Sequence, residues 1–244
     1  AAVGGVDIIK DDELLSETSY NNRIKRIEMY MQMAKKADRI KGEKTLYAVN
    51  ITDRADRLLD NALDAINAGA NALMVNYLTQ GISDMRCLAE NPKINVPILA
   101  HLDFSGVLYA NAYGGMSSHL VLGKLARLAG ADMIVYPIES GKYRLLDEKY
   151  RQIAYDLVLP WQNIKSTLPI PAGGLSANLV PKVLYDLGFD CAISAGGAIH
   201  GHPMGAIAGA KALRQAIDAV VAGLDINEYA ENHKELKAAL EKWS

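Results

Sequence analysis

Lys10-Asp11-Asp12-Glu13 is the stretch whose residue types most directly suggest chemistry. It follows Gly4-Gly5 and the apolar run Val6-Asp7-Ile8-Ile9, which predicts a short buried strand with a charged cluster at its exit. Four ionisable side chains in a row do not belong in a core. They form either a solvated turn, the commoner reading of such a run, or the ligand set for a hard cation. Two carboxylates beside a lysine suit Mg²⁺ only when the lysine stops being a cation, for instance as a carbamate. Both readings stand on these residues alone. A second chemical signal comes late in the chain. Pro169-Ile170-Pro171-Ala172 runs into Gly173-Gly174, and Ala192-Ile193-Ser194-Ala195 runs into Gly196-Gly197. Paired glycines at strand exits let main-chain N–H groups approach a phosphate with no side chain in the way. They also serve simple tight turns. His200 and His202 follow in Ala198-Ile199-His200-Gly201-His202-Pro203, where the flanking Gly and Pro favour a structural loop over metal ligation.

These residues need strands to carry them and helices to cover those strands. Apolar, β-branched runs predict strands at 6–9, 45–50, 72–76, 97–102, 132–137, 168–172 and 191–195. Amphipathic segments lie between them. Within 21–41, Ile24, Ile27, Met31 and Ala34 recur at helical spacing with Arg and Lys opposite. Segments 54–68 and 118–128 repeat the pattern and stop before Gly69 and Gly130. Alternating β and α means a parallel sheet under a helical layer. Seven strands fit a doubly wound open sheet. They also fit a (β/α)8 TIM barrel lacking its first βα unit, since the closed barrel needs eight. In such barrels the loops after the last two strands are the usual phosphate site, which is where the glycine pairs fall.

Length and composition narrow the function classes. The 244 residues, half of them hydrophobic, suit one large domain, 1–244, with no linker or low-complexity break. A formal net charge of −2 leaves no basic footprint for nucleic acid or an anionic membrane. No apolar run is long enough to span a bilayer, and no basic-then-apolar leader opens the chain. Cys87 and Cys191 make no disulfide framework. A reducing cytoplasm is the simplest setting.

At this point the motifs match a family. Gly4-Gly5-Val6-Asp7-Ile8-Ile9-Lys10-Asp11-Asp12-Glu13 resembles the metal-site motif of ribulose-bisphosphate carboxylase (RuBisCO) large chains and RuBisCO-like proteins. Residues 194–203 resemble their last barrel strand and loop, and Ala172-Gly173-Gly174 their strand-seven phosphate loop. The resemblance runs in order over essentially the whole chain. It implies a barrel that begins here at strand two, preceded in the family by an N-terminal domain. It implies Lys10 carbamylated by CO₂ and binding Mg²⁺ with Asp12 and Glu13, while Asp11 points away. It implies a substrate phosphate on the amides of Gly173, Gly174, Gly196 and Gly197. Lys142, in Glu139-Ser140-Gly141-Lys142, falls where the carboxylase has its mobile lysine loop.

The departures bear on the reaction. The carboxylase has a His-Arg pair after strand five, and here Ala100-His101-Leu102-Asp103-Phe104-Ser105-Gly106 puts Asp103 and Phe104 in that place. Val135 and Ala172 replace a histidine and a serine. His101, Ser105 and Gly106 resemble instead the pattern of the RuBisCO-like 2,3-diketo-5-methylthiopentyl-1-phosphate enolases, although residues 138–142 do not match that clade. The resemblance thus implies a Mg²⁺-dependent enolase, isomerase or decarboxylase acting through an enolate on a singly phosphorylated keto compound, with Lys10, His101 and Lys142 as catalytic groups. A divergent carboxylase is one alternative, and a non-catalytic barrel fragment is another. In the family a partner subunit completes the site. The chain is therefore expected as a homodimer or higher assembly, inactive alone, with its barrel gap filled by an upstream segment or a second polypeptide.

Overall fold

The computed structural model describes residues 1–111, 113–141 and 144–243. Six strands form one sheet: β1 (Ile8–Lys10), β2 (Leu46–Asn50), β3 (Ala72–Val75), β4 (Ile98–Ala100), β5 (Met133–Pro137) and β6 (Leu168–Ala172). The helices are α1 (Arg23–Lys41), α2 (Leu58–Asn67), α3 (Tyr77–Gln80), α4 (Ile82–Ala89), α5 (Ser105–Tyr109), α6 (Ala126–Leu128), α7 (Asp147–Val158), α8 (Val180–Leu187), α9 (Gly196–His200), α10 (Ala206–Val221), α11 (Ile226–Ala230) and α12 (Lys234–Lys242).

The strands lie in sequence order and every neighbouring pair is parallel. Successive right-handed crossovers in unreversed order put all covering helices on one face, so the doubly wound alternative is excluded. Alternate residues divide accordingly. Tyr47, Val49, Leu73, Val75, Ile98, Ile134 and Tyr136 enter the large core against the helices. Ala48, Ala72, Met74, Leu99, Met133, Val135 and Ile170 meet in a smaller core on the other face. Ile8 from β1 and Ala192, beyond β6, both pack against that inner cluster, so the sheet curls around it.

The seventh expected strand, 191–195, is absent as a regular element, and β6 supplies the reason. The Ala192 and Ser194 N–H groups donate to the Pro169 and Pro171 carbonyls at 3.0 and 3.1 Å. In a parallel ladder the return bond to the Ala192 carbonyl would come from residue 171, which as proline has no N–H. The segment runs beside β6 with its hydrogen bonds going one way. No further strand is hidden in the segment before β6, where residues 147–158 are helix α7.

Helix boundaries follow their caps. Asn22 Oδ1 accepts from the Lys25 N–H at 3.0 Å to start α1, and Gly42 ends it at φ 80°. The segment predicted as a helix at 118–128 opens instead as a π-helix over Leu120–Leu125, whose Val121 carbonyl accepts from the Tyr77 hydroxyl at 2.5 Å. No helix among the described residues is long and apolar enough to cross a membrane.

Candidate metal and phosphate site

Parallel strands send their C-terminal ends to one rim, and the polar residues of this chain collect there. Lys10 is the last residue of β1 and Asn50 the last of β2, while Asn76 follows β3 and His101 follows β4. Lys10 Nζ donates to Glu13 Oε2 at 2.9 Å and to the Asp11 carbonyl at 2.9 Å. The same Glu13 oxygen lies 3.4 Å from His101 Nε2, and His101 Nδ1 lies 3.6 Å from Asp103 Oδ1. Glu13, His101 and Asp103 each offer a donor atom, all within 4.8 Å of one another. His101 is 5 % exposed, and its Nδ1 is buried without a hydrogen-bond partner.

The electrostatics follow from this crowding. Burial, and then the Lys10 charge, push His101 down to about 4, so the ring is neutral near pH 7. Burial alone would raise Glu13. The Lys10 hydrogen bond, with a main-chain hydrogen bond and the Lys10 charge, outweighs it and holds the carboxyl below its usual range. Asp103 is raised by burial and by the Glu13 charge.

The expected ligands are thus not all equivalent. Glu13 stands in the cluster, and Lys10 adjoins it as an ion-pair partner. Asp12 lies outside the trio, exposed, with Oδ1 accepting from the Leu14 N–H at 2.9 Å. Asp11 turns the other way. It is 5 % exposed and takes the Arg26 guanidinium at 2.9 Å, the Tyr47 hydroxyl and the Asn50 N–H at 3.0 Å. This buried hub anchors the root of the loop to α1 and β2.

At the same rim, the one-way pairing of 191–195 with β6 makes both glycine pairs exit side by side. Gly173 and Gly174 have φ of 97° and 95°, a conformation that favours glycine. All four glycines are exposed, and a Cβ built on Gly173, Gly196 or Gly197 meets nothing within 4 Å. Gly141 packs so closely that a Cβ would sit 2.1 Å from the Gly173 carbonyl oxygen. Lys142 lies outside the described residues. His202 is structural, its Nε2 3.0 Å from the Glu235 carbonyl and its Nδ1 accepting from the Met204 N–H.

Three residues of the rim were not legible as functional. Asp103 read only as a departure from a pattern, and Asn50 and Asn76 only as strand termini. The one available signal was a polar Asn closing each of two apolar runs.

Comparison with known proteins agrees with this geometry. The family model for the ribulose bisphosphate carboxylase large chain, catalytic domain, matches residues 1–243. A ribulose bisphosphate carboxylase-like protein of Archaeoglobus fulgidus is 49% identical over 243 residues, covering 98% of this chain and 56% of its own length. A 2,3-diketo-5-methylthiopentyl-1-phosphate enolase of Bacillus pumilus is 42% identical over 242 residues, covering 99% and 59%. The crystal structure of a rubisco-like protein (MtnW) from Alicyclobacillus acidocaldarius superposes with a TM-score of 0.94 at 39% identity, over 100% of this chain and 61% of that one. The chain thus spans between 56% and 61% of the length of these relatives. With its strand-end cluster, its paired glycines and this match along almost every residue, the chain belongs to the ribulose bisphosphate carboxylase large-chain family.

Proposed function

We propose that this chain is the barrel part of a RuBisCO-like, Mg²⁺-dependent enolase that acts on a singly phosphorylated ketone. The observation that carries the reading is the shared Glu13 oxygen, held by Lys10 on one side and facing His101 on the other. Glu13, His101 and Asp103 bring two carboxylates and an imidazole together at the strand ends, donor types that suit a divalent cation. Of this trio only Glu13 belongs to the proposed Mg²⁺ ligand set, which adds Asp12 and carbamylated Lys10 from the same loop and leaves His101 for the substrate.

The Lys10 chemistry explains why CO₂ and metal would act together. As an ammonium, Lys10 attracts Glu13 and opposes a cation. Attack of the neutral amine on CO₂ forms a C–N bond and releases one proton to solvent. The resulting anion would repel Glu13 unless a cation were held nearby. A Mg²⁺ ion held by Glu13, Asp12 and carbamylated Lys10 would supply positive charge for the oxygen of an enolate. Enolisation passes a proton from the carbon beside the carbonyl to a base, a role proposed for carbamylated Lys10, while the C–H electron pair becomes the C=C bond and the carbonyl π pair moves onto the oxygen. Neutral His101 can hydrogen-bond a substrate oxygen or carry its proton. Lys142 is proposed as the loop lysine that meets the substrate.

The phosphate is proposed to lie on the amides of Gly173, Gly174, Gly196 and Gly197. His101 reaches the cluster and Leu102 follows it, ahead of the two positions where the carboxylase's His-Arg pair would stand. Asp103 and the 59 % exposed Phe104 come next, so this side of the rim suits an apolar substrate tail rather than a second phosphate. That favours an enolase of the kind named for the Bacillus pumilus relative over a bisphosphate carboxylase. Residues 1–244 are proposed as a single barrel domain starting at the family's second strand and completed by an upstream segment or a partner chain.

Proton exchange in D₂O tests this. With Mg²⁺, bicarbonate and 2,3-diketo-5-methylthiopentyl-1-phosphate, NMR should show loss of the exchangeable C–H signal when the chain is mixed with the amino-terminal segment of a full-length relative. Exchange should vanish with Glu13→Gln. Exchange that survives that substitution, or labelled phosphoglycerate from ribulose bisphosphate and CO₂, would overturn the assignment.

A further inference from the structure

Glu13 is held at two places. Its carboxylate meets Lys10 and His101, while its main-chain carbonyl is gripped separately from two neighbouring strand ends. Asn50 Nδ2 donates to the Glu13 carbonyl at 2.9 Å and to the Leu15 carbonyl at 3.2 Å. Asn76 Nδ2 donates to the same Glu13 carbonyl at 2.9 Å. Both asparagines are buried and themselves fixed. Asn50 Oδ1 accepts from the Thr52 N–H at 3.1 Å, and the Asn76 N–H donates to Thr52 Oγ1 at 2.9 Å.

Asn76 carries a cost that folding alone does not explain. Its Oδ1 is buried with no partner, a desolvated acceptor that an apolar side chain of similar size would avoid. What the amide secures in exchange is one hydrogen bond to one carbonyl, that of Glu13. The segment from 11 to 22 has no helix or strand ladder to stiffen it, and Leu14 within it is exposed. The two amides supply stiffness where they converge on Glu13, and Asn50 extends it to Leu15.

We propose that Asn50 and Asn76 are positioning residues for Glu13 as a metal ligand, fixing its main chain so that the carboxylate stands in the cluster before a cation arrives. This rests on the reading of the cluster as a cation site. Groups that orient a ligand from behind typically govern metal affinity by about 10- to 100-fold.

The test uses Mn²⁺ alone as the probe, titrated into the chain in bicarbonate buffer and followed by electron paramagnetic resonance, with thermal melting of each variant alongside. Asn76→Leu and Asn50→Leu keep the heavy-atom count and branching, add no charge and remove the donors. Each should weaken Mn²⁺ binding about 10- to 100-fold while keeping a cooperative melt, and Glu13→Gln should abolish binding. Wild-type affinity in Glu13→Gln overturns the cation-site reading itself. Wild-type affinity in both asparagine variants, with binding lost in Glu13→Gln, overturns the positioning role alone. Loss of the folded transition in both asparagine variants also overturns it, because the clamp would then be a folding element.

Discussion

Adjacent carboxylates in one short motif do opposite work. Asp11 is spent on a buried ion pair with Arg26, whereas Glu13 is left at the rim with a lysine and a histidine. Removing one member of a buried pair leaves an uncompensated charge, which costs about 3–5 kcal/mol. Arg26→Met should therefore lower unfolding free energy by about that amount in urea titrations, and a change below ~1 kcal/mol would show that Asp11 is not held as described. Lys10 belongs to the other half of the motif. Lys10→Ala removes the amine that CO₂ would modify, so bicarbonate should no longer strengthen Mn²⁺ binding. A bicarbonate effect that persists in Lys10→Ala would place the carbamate elsewhere.

Loops that leave neighbouring strands are set by what lies between them. Gly141 lets the loop after β5 touch the loop after β6, with no room for a Cβ against the Gly173 carbonyl. Gly141→Ala should force the two loops apart, costing about 1–3 kcal/mol and raising KM for phosphorylated substrate. Gly197 is the opposite case. It stands in the first turn of α9 with open space where a Cβ would be. Gly197→Val should leave stability within about 1 kcal/mol while raising KM strongly, because bulk would block the amide approach. Calorimetry and steady-state kinetics on the pair separate packing from binding, and an unchanged KM in Gly197→Val would remove that glycine from the phosphate site.

A curled parallel sheet with two unclosed edges is an invitation to pair. Among the described residues, no strand pairs with the free side of β1, and the far side of 191–195 is equally unpartnered. Rows of open N–H and C=O groups recruit further chain. The 244-residue chain should show concentration-dependent association by sedimentation, and adding the amino-terminal segment of a relative should convert it to one defined species. A dilute, monodisperse monomer that ignores that segment would mean the edges are covered in another way.

Much of this was legible in the residues themselves. Alternating apolar runs and amphipathic segments fixed the βα order, because period two and period 3.6 each bury only one kind of face. The charged run and the glycine pairs both read as strand exits, and parallel strands all deliver their ends to one side. Tertiary structure decided the rest. Two prolines in β6 reduced the seventh strand to a one-sided pairing, an effect that depends on which way each missing N–H faces. Asp103, 90 residues from Glu13 in the chain, joined the cluster only because β1 and β4 end at one rim. Asn50 and Asn76 looked like ordinary strand ends until their amides met on a single carbonyl. Local pattern encodes which elements form, while the partner of a given polar atom is set by the curvature of the sheet, which no short window of residues contains.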